Sequence, residues 1–323
     1  MDEKNINKNP FKLDENKIQE FRESVEDLIA SARSDKDIRM GTYALRDLAN
    51  AISTLAPYKE HKKITIFGSA RLDLKSKEYQ ETERLAHELA EAGFTIITGG
   101  GPGLMHAGLK GAAGNGVGIA IELPFETVNH ETEILNGWPL ARQQMFFTRK
   151  LALIRNVNGF VVAPGGFGTL DEFFEVLTLM QTGKSKPAPV VLFETPERPM
   201  WSELSEFIER RLIERKLVDS LDTSLFSVFS DVEKAVAYIS NFWSNYSGVH
   251  IENDEVTLFF AKVPNQAFYD FFHSLRSTGV ITEQSESALS FKFDLRHWCD
   301  LRLLIDSLNQ NYVGALEEKN EHK

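Results

Sequence analysis

The sequence predicts an α/β fold: a Rossmann-like, doubly wound parallel sheet with an N-terminal helical extension and a small C-terminal β-α-β-α unit. Short apolar runs at 63–67, 95–98, 118–121, 159–163 and 189–193 read as strands buried on both faces, the pattern of a parallel sheet. Amphipathic runs of helical period lie between them, so strands and helices alternate along the chain. Glycine-rich turns follow three of the strands. They fall at the carboxyl edge, where such sheets bind ligands.

Residues 1–57 begin polar and become helical. Ile18, Phe21, Val25, Leu28 and Ile29 share one face within 16–32, and Met40, Tyr43, Ala44, Leu48 and Ile52 share one within 37–55. Such faces need a surface to cover, so both helices are expected to pack on the main domain or on a partner subunit. The region 58–247 then runs strand 63–67, helix 78–92, strand 95–98, helix 104–114, strand 118–121 and helix 143–157. Strand 159–163, helix 172–182, strand 189–193 and helix 201–214 follow. A polar stretch at 246–255 marks the start of a unit at 248–312, with strand 256–262, helix 265–277, strand 288–293 and helix 297–308. Its size is marginal for independent stability. The charged tail, 313–323, is expected to be disordered.

Composition narrows the function classes. The 323 residues suffice for one large domain and a smaller one, and 42% hydrophobic with 26% charged residues is ordinary for a soluble globular protein. A net charge of −11 argues against a nucleic-acid binder, which normally carries a basic face. Cys299 is the one cysteine, so neither an intrachain disulfide framework nor a cysteine zinc site is expected. Its helix is amphipathic and reads as holding a buried structural thiol. No histidine spacing resembles a metal set, and no metal or cofactor is expected. No apolar stretch approaches a membrane span and Met1–Asn5 has no apolar signal core. The expectation is a cytoplasmic protein with no membrane partner.

The chemistry concentrates on the glycine turns. Phe67-Gly68-Ser69-Ala70-Arg71 closes the first strand; its small residues can admit a phosphate or ribose, and Arg71 can add charge-assisted hydrogen bonds. A tight strand-to-helix turn with a surface arginine explains the same segment equally well. Thr98-Gly99-Gly100-Gly101-Pro102-Gly103-Leu104-Met105 holds four glycines in five residues, costly unless the main chain adopts unusual angles or touches a ligand. It lacks the Lys-Ser/Thr of a P-loop and the GxGxxG of dinucleotide binders, although Glu122 stands about 20 residues on, where such enzymes read a ribose. Pro164-Gly165-Gly166-Phe167-Gly168-Thr169-Leu170-Asp171-Glu172 combines a phosphate cradle with carboxylates. Its backbone N–H groups and the helix behind it favour an anion. Asp171, Glu172 and Glu175 are expected in the first turn of that helix, where acids also offset the dipole, and Thr169 with Glu172 reproduces a capping box. Arg149 and Lys150 sit on the apolar helix Gln143-Gln144-Met145-Phe146-Phe147-Thr148-Arg149-Lys150-Leu151; beside a phosphate cradle they read as its cations. His106 can approach a ligand from the helix after the second turn, whereas His130 reads as a loop residue.

Taken together, the segments 67–71, 98–105, 145–150 and 164–172 resemble, in order, the motifs of the "lonely guy" (LOG) phosphoribohydrolases, a group long mislabelled as lysine decarboxylases. The run at 164–172 matches that family's PGGxGTxxE. Ile121-Glu122-Leu123-Pro124 with Phe146-Phe147-Thr148-Arg149-Lys150 looks closer to the longer bacterial branch. The resemblance spans roughly residues 60–195. It implies cleavage of the N-glycosidic bond of a nucleoside 5′-monophosphate, with Arg149 and Glu172 as catalytic pair and Pro164, Gly165, Gly166, Gly168 and Thr169 around the 5′-phosphate. Gly68, Ser69, Arg71, Gly99, Gly100, Gly101, Met105 and Lys150 then complete the nucleotide site, with Asp171, Glu175, Glu122 and His106 as second-rank candidates. AMP or a related purine monophosphate is the expected substrate; Phe125, Met145 and Phe146 could line a pocket for an N6-prenyl group, as in cytokinin nucleotides. Relatives dimerise through helices beside the site, so a homodimer or a multiple of it is expected.

Two other classes use parts of the same sequence. A non-hydrolytic nucleotide binder or molybdenum-cofactor carrier needs the glycine turns but no catalytic pair. A pyridoxal-phosphate decarboxylase needs a Schiff-base lysine, and neither Lys150 nor Lys184 stands in a recognisable context for one.

Overall fold

Seven parallel strands form the central sheet of the computed structural model, which describes residues 13–122, 137–155 and 157–313. They are β1 (Lys63–Phe67), β2 (Thr95–Thr98), β3 (Gly116–Ile121), β4 (Leu140–Gln143), β5 (Gly159–Val162), β6 (Val190–Phe193) and β7 (Ser227–Phe229), in the order β4-β3-β2-β1-β5-β6-β7. Every pairing is parallel, so each strand needs a crossover, and helices cover both faces. Alternate side chains feed two cores: Ile97, Val117, Ile119, Phe160, Val162 and Leu192 enter one, and Ile64, Ile66, Ile96, Val161 and Val191 the other. The chain winds one way from β1 to β2 and β3, and the other way from β5 to β6 and β7. The direction therefore switches between the neighbours β1 and β5, the crevice where such sheets take ligands.

Ten α-helices are described: α1 (Glu15–Ser31), α2 (Asp35–Leu55), α3 (Lys77–Glu91), α4 (Leu104–Gly111), α5 (Phe146–Ile154), α6 (Phe167–Gln181), α7 (Trp201–Phe207), α8 (Val232–Phe242), α9 (Gln266–Ser274) and α10 (Trp298–Gln310). Of the N-terminal pair, α2 lies against β4 and α5 and buries Asp47 and Ala51, whereas α1 has no buried residue and touches α2. The expected helix at 143–157 is corrected: Gln143 ends strand β4, and the helix starts at Phe146. The helix expected at 172–182 starts at Phe167, so the last glycine of the turn, Gly168, is already helical. The run at 201–214 is α-helical to Phe207 and continues as a π-helix over Ile208–Ile213.

The C-terminal unit is β-β-α-β-β-α rather than the expected β-α-β-α. Strands β8 (Tyr246–Glu252), β9 (Glu255–Phe260), β10 (Thr278–Gln284) and β11 (Ala288–Phe293) pair antiparallel in the order β10-β11-β9-β8, under α9 and α10. Its own core holds Val256, Leu258, Phe268, Phe272, Phe291 and Leu304. It docks at the amino edge of the parallel sheet. Arg302 Nη1 donates 3.0 Å to the Ala188 carbonyl just before β6. Trp243, in the link that leads into the unit, donates from Nε1 to the Asn158 carbonyl just before β5 at 3.0 Å. Cys299, in α10, is buried and its Sγ lies 3.1 Å from Asp222; burial, reinforced by that carboxylate, pushes the thiol up. No described helix is long and apolar enough to cross a membrane. The tail expected to be disordered lies, beyond Val313, outside the described residues, as do Phe125 and His130.

Arg302 is the polar centre of that docking. It is 2% exposed, pairs with Asp306 at 3.1 Å, donates 2.7 Å to the Tyr238 hydroxyl and lies 4.7 Å over the Phe242 ring. Burial raises the Asp306 carboxyl against the opposing pull of Arg302, so its charge depends on that partner. Arg302→Ala leaves the Ala188 carbonyl, the Tyr238 hydroxyl and the half-buried Asp306 without their donor. It is expected to cost about 2–4 kcal/mol, read as a lower urea midpoint. An unchanged midpoint contradicts this account of the docking.

Candidate active site

Local geometry brings the three glycine turns into one junction. The turn after β1 is tied to the other two through Ser69: its N–H donates 3.0 Å to the Pro164 carbonyl, and its own carbonyl accepts from Leu104 N–H at 2.9 Å. The Ser69 hydroxyl accepts from Arg71 N–H at 3.1 Å, a turn-stabilising bond, and the Arg71 side chain is exposed. Gly103 has φ of 65°, and a Cβ there would run into the Ser69 carbonyl and the Ala70 backbone. The glycine is thus required both by its angle and by the close approach of the first turn. Gly68 is a packing glycine whose Cβ would meet Leu104.

The Arg149 guanidinium occupies the centre. From α5 it reaches under the second turn, where Nε donates 3.0 Å to the Ile119 carbonyl and Nη2 donates 3.2 Å to the Gly99 carbonyl. Nη1 lies 3.6 Å from Glu172 Oε1, and both side chains are largely buried. A Cβ on Gly99 would overlap the guanidinium and the Met105 sulfur, and one on Gly101 would meet the end of Met105. The glycines of the second turn therefore make room for Arg149 and Met105. Gly100, at φ 63°, turns the chain and donates its N–H 3.1 Å to the Thr98 hydroxyl.

Glu172 lies beyond the first turn of α6, not within it as expected, and so do Asp171 and Glu175. Gly166 is the N-cap and makes no side-chain cap bond, so the capping box drawn from Thr169 and Glu172 does not form. The Thr169 side chain instead fills the space a Cβ on Gly165 would need, and open space surrounds the Cα positions of Gly166 and Gly168. The first amides of α6 have no intrahelical acceptor, and the positive end of the helix points out beside that space. Helix ends of this kind can seat an anion. Burial pushes the Glu172 carboxyl above the usual carboxylate range, while Arg149 and Lys150 pull it back. Burial likewise lowers Arg149, and Glu172 opposes that. We attribute the pair's behaviour to shared desolvation, with each charge retained because of the other.

The remaining candidates divide. Lys150 Nζ is 2.5 Å from Asp171 and 2.9 Å from Glu175, a clamp between α5 and α6. Burial lowers the Lys150 ammonium, but those hydrogen bonds outweigh it and raise its pKa. Asp171 and Glu175 are thereby occupied, and Glu172 is the acid left facing Arg149. Glu122 is exposed just after β3, with its N–H 2.8 Å from the Gln143 carbonyl. His106 Nδ1 lies 2.7 Å from the Tyr79 hydroxyl, and its ring meets Trp138 edge-on. Burial, aided by Lys110 and opposed by Glu83, lowers His106.

Sequence reasoning missed Asp47 and Thr148. Asp47 accepts from the backbone N–H of Gln144 and Met145, each at 2.9 Å, and from the Thr148 hydroxyl at 2.7 Å. The contact joins segments 101 residues apart, and nothing local to either one signals it.

Residues 101–239 match the family described as "Possible lysine decarboxylase". A cytokinin riboside 5′-monophosphate phosphoribohydrolase of Mycobacterium marinum is 30% identical over 148 residues, 42% of this chain and 78% of that protein. The protein of the same name from Oryza sativa is 27% identical over 129 residues, 39% of this chain and 52% of its own length. The chain thus spans about half the length of the rice relatives it matches. Among solved structures, the molybdenum cofactor carrier protein of Chlamydomonas reinhardtii overlaps at a TM-score of 0.38 and 22% identity, over 55% of this chain and 94% of that one.

Gly103→Ala tests the junction. The substitution forces a side chain onto a positive φ and against the Ser69 carbonyl, and is expected to cost about 1–3 kcal/mol, seen as a lower melting temperature. A melting temperature equal to wild type would show that the turns are not held together at this point.

Proposed function

The chain belongs to the LOG family, and on that premise we propose that it hydrolyses the N-glycosidic bond of a nucleoside 5′-monophosphate to free base and ribose 5-phosphate. The observation that carries this reading is the buried Arg149–Glu172 pair, 3.6 Å apart beside the anion seat of α6. Neither a carrier nor a sensor requires a buried carboxylate next to its phosphate, where it repels the ligand. A hydrolase has a use for it at C1′, where positive charge develops.

The 5′-phosphate takes the amino end of α6, held by backbone N–H groups of the Gly165–Thr169 turn. As the bond from C1′ to the base nitrogen lengthens, positive charge builds on C1′ and the ring oxygen. The Glu172 carboxylate stabilises that charge. A water oxygen then bonds to C1′, the electron pair of the broken bond leaves with the base, and the base nitrogen takes up a proton while the water loses one. Glu172 is the group to orient that water and accept its proton. Arg149, with two of its three nitrogens fixed on carbonyls, holds ribose or phosphate oxygens in place. AMP or another purine monophosphate is the substrate we favour, and cytokinin-type nucleotides are the neighbouring class to test.

Exposed apolar side chains support an oligomer. Helices α2, α5 and α6 present Ile52, Phe146, Phe147, Leu151 and Phe174 to solvent, beside the residues of the proposed site. We take this face to be covered by a second copy of the chain.

Chromatography of incubations with each common 5′-monophosphate tests the reaction. Adenine is expected from AMP, with Glu172→Gln slower by at least about a hundredfold; equal rates in both proteins would remove Glu172 from the mechanism. The active form is the carboxylate, so kcat/KM falls as pH drops, with a midpoint above the ordinary glutamate value of 4.5 because burial raises this group. In Glu172→Gln that acid limb disappears; its persistence would assign it to another group. Light scattering is expected to give twice the chain mass of 36.5 kDa, and Phe147→Glu to give the single mass. A monomeric wild type would contradict the dimer.

A further inference from the structure

Helix α5 carries Arg149 yet has no N-cap of its own. Met145 holds the cap position and its side chain makes no cap hydrogen bond. The first amides of a helix need an acceptor when they are shut away from water. Helix α2, in the N-terminal extension, instead supplies acceptors to the two residues that lead into α5 and to a hydroxyl of its first turn. The Asp47 carboxylate, 3% exposed, takes the N–H groups of Gln144 and Met145 and the hydroxyl of Thr148. The Asp47 carbonyl accepts from Gln143 Nε2 at 3.1 Å, and one turn on, Asn50 Nδ2 donates 2.9 Å to the Arg142 carbonyl. The end of β4, the link after it and the start of α5 are therefore all fixed to one face of α2.

We infer that Asp47 is a positioning residue for Arg149: it anchors the two residues before α5 and the hydroxyl of its third residue, and so sets how far that helix stands from the second glycine turn. Thr148, the residue before Arg149, is the point of transmission. Its hydroxyl donates to Asp47 and lies 2.8 Å from the Met145 carbonyl, so the first turn of α5 closes around the carboxylate. The tolerance for Arg149 is small. Its guanidinium must meet the Ile119 and Gly99 carbonyls and Glu172 at once, in space that only a glycine at 99 leaves open. A negative charge at the amino end of α5 also suits the helix dipole, so the buried carboxylate has both donors and field in its favour. The extension is then a working part of the site.

The kinetic readout rests on the hydrolase reading above, so the test carries a second readout that does not. Full-length Asp47→Ala, Asp47→Asn and Ala51→Gly are compared with wild type. Ala51→Gly loosens α2 one turn beyond Asp47 and controls for stability alone. Asp47→Ala is expected to lower kcat for base release from AMP by about tenfold to a hundredfold, with a smaller change in KM. Asp47→Asn keeps one oxygen acceptor and is expected to recover part of the loss, and it serves alone if Asp47→Ala does not fold. Ala51→Gly should lower the melting temperature while leaving kcat at its wild-type value. Equal kcat in the Asp47 variants and Ala51→Gly would overturn the inference. If wild type itself releases no base, the hydrolase reading fails and amide hydrogen exchange decides. Faster exchange over 144–150 in the Asp47 variants, with 104–111 unchanged, upholds the positioning role. Unchanged exchange over 144–150 refutes it.

Discussion

A buried guanidinium cannot be left to find its own partners, and the architecture around Arg149 follows from that constraint. Its charge is held by two backbone carbonyls, from β3 and the turn after β2, and by one carboxylate from α6. Each acceptor must be fixed before the cation arrives, because removing one partner of a buried pair costs several times what the pair contributes. The glycines of the second turn are part of the same requirement, since any side chain at Gly99 would occupy the space of the guanidinium.

The doubly wound sheet provides that fixity. Parallel strands end together at one edge, so turns distant in sequence arrive side by side, and Ser69 joins them with two backbone hydrogen bonds. The two additions to the sheet work at different ends. Helix α2 holds the segment that leads into α5, at the same edge as the glycine turns. The C-terminal unit meets the amino edge through Arg302 and Trp243, far from those turns. It also reaches α6, just past whose far end Gly183 packs against Trp298.

The centre of this fold is readable in the sequence and its margins are not. Strands β1, β2, β3, β5 and β6 are buried on both faces and read as continuous apolar runs. The strands that escape a sequence reading are β4, β7, β8 and β10, the outer strands of the two sheets. An outer strand shows part of its surface to water and loses the apolar signature; β10 has no fully buried residue at all. The start of α6 is hidden because Gly168 is a poor helix former, and there the helix is held by the turn before it. The glycine turns can be picked out because loops at a carboxyl edge are where unusual residues collect, and Arg149 and Glu172 because charges on apolar helices stand out beside them. Their division of labour is less legible. That Lys150 occupies Asp171 and Glu175, and that Asp47 anchors the start of α5, depends on contacts between segments tens of residues apart.

The most direct test of the central claim is a crystal structure of Glu172→Gln with AMP bound. The account predicts the 5′-phosphate on the N–H groups at the start of α6, with C1′ against the residue 172 side chain and Arg149 on the ribose or phosphate oxygens. A nucleotide seated elsewhere, or one whose C1′ faces away from residue 172, would contradict it.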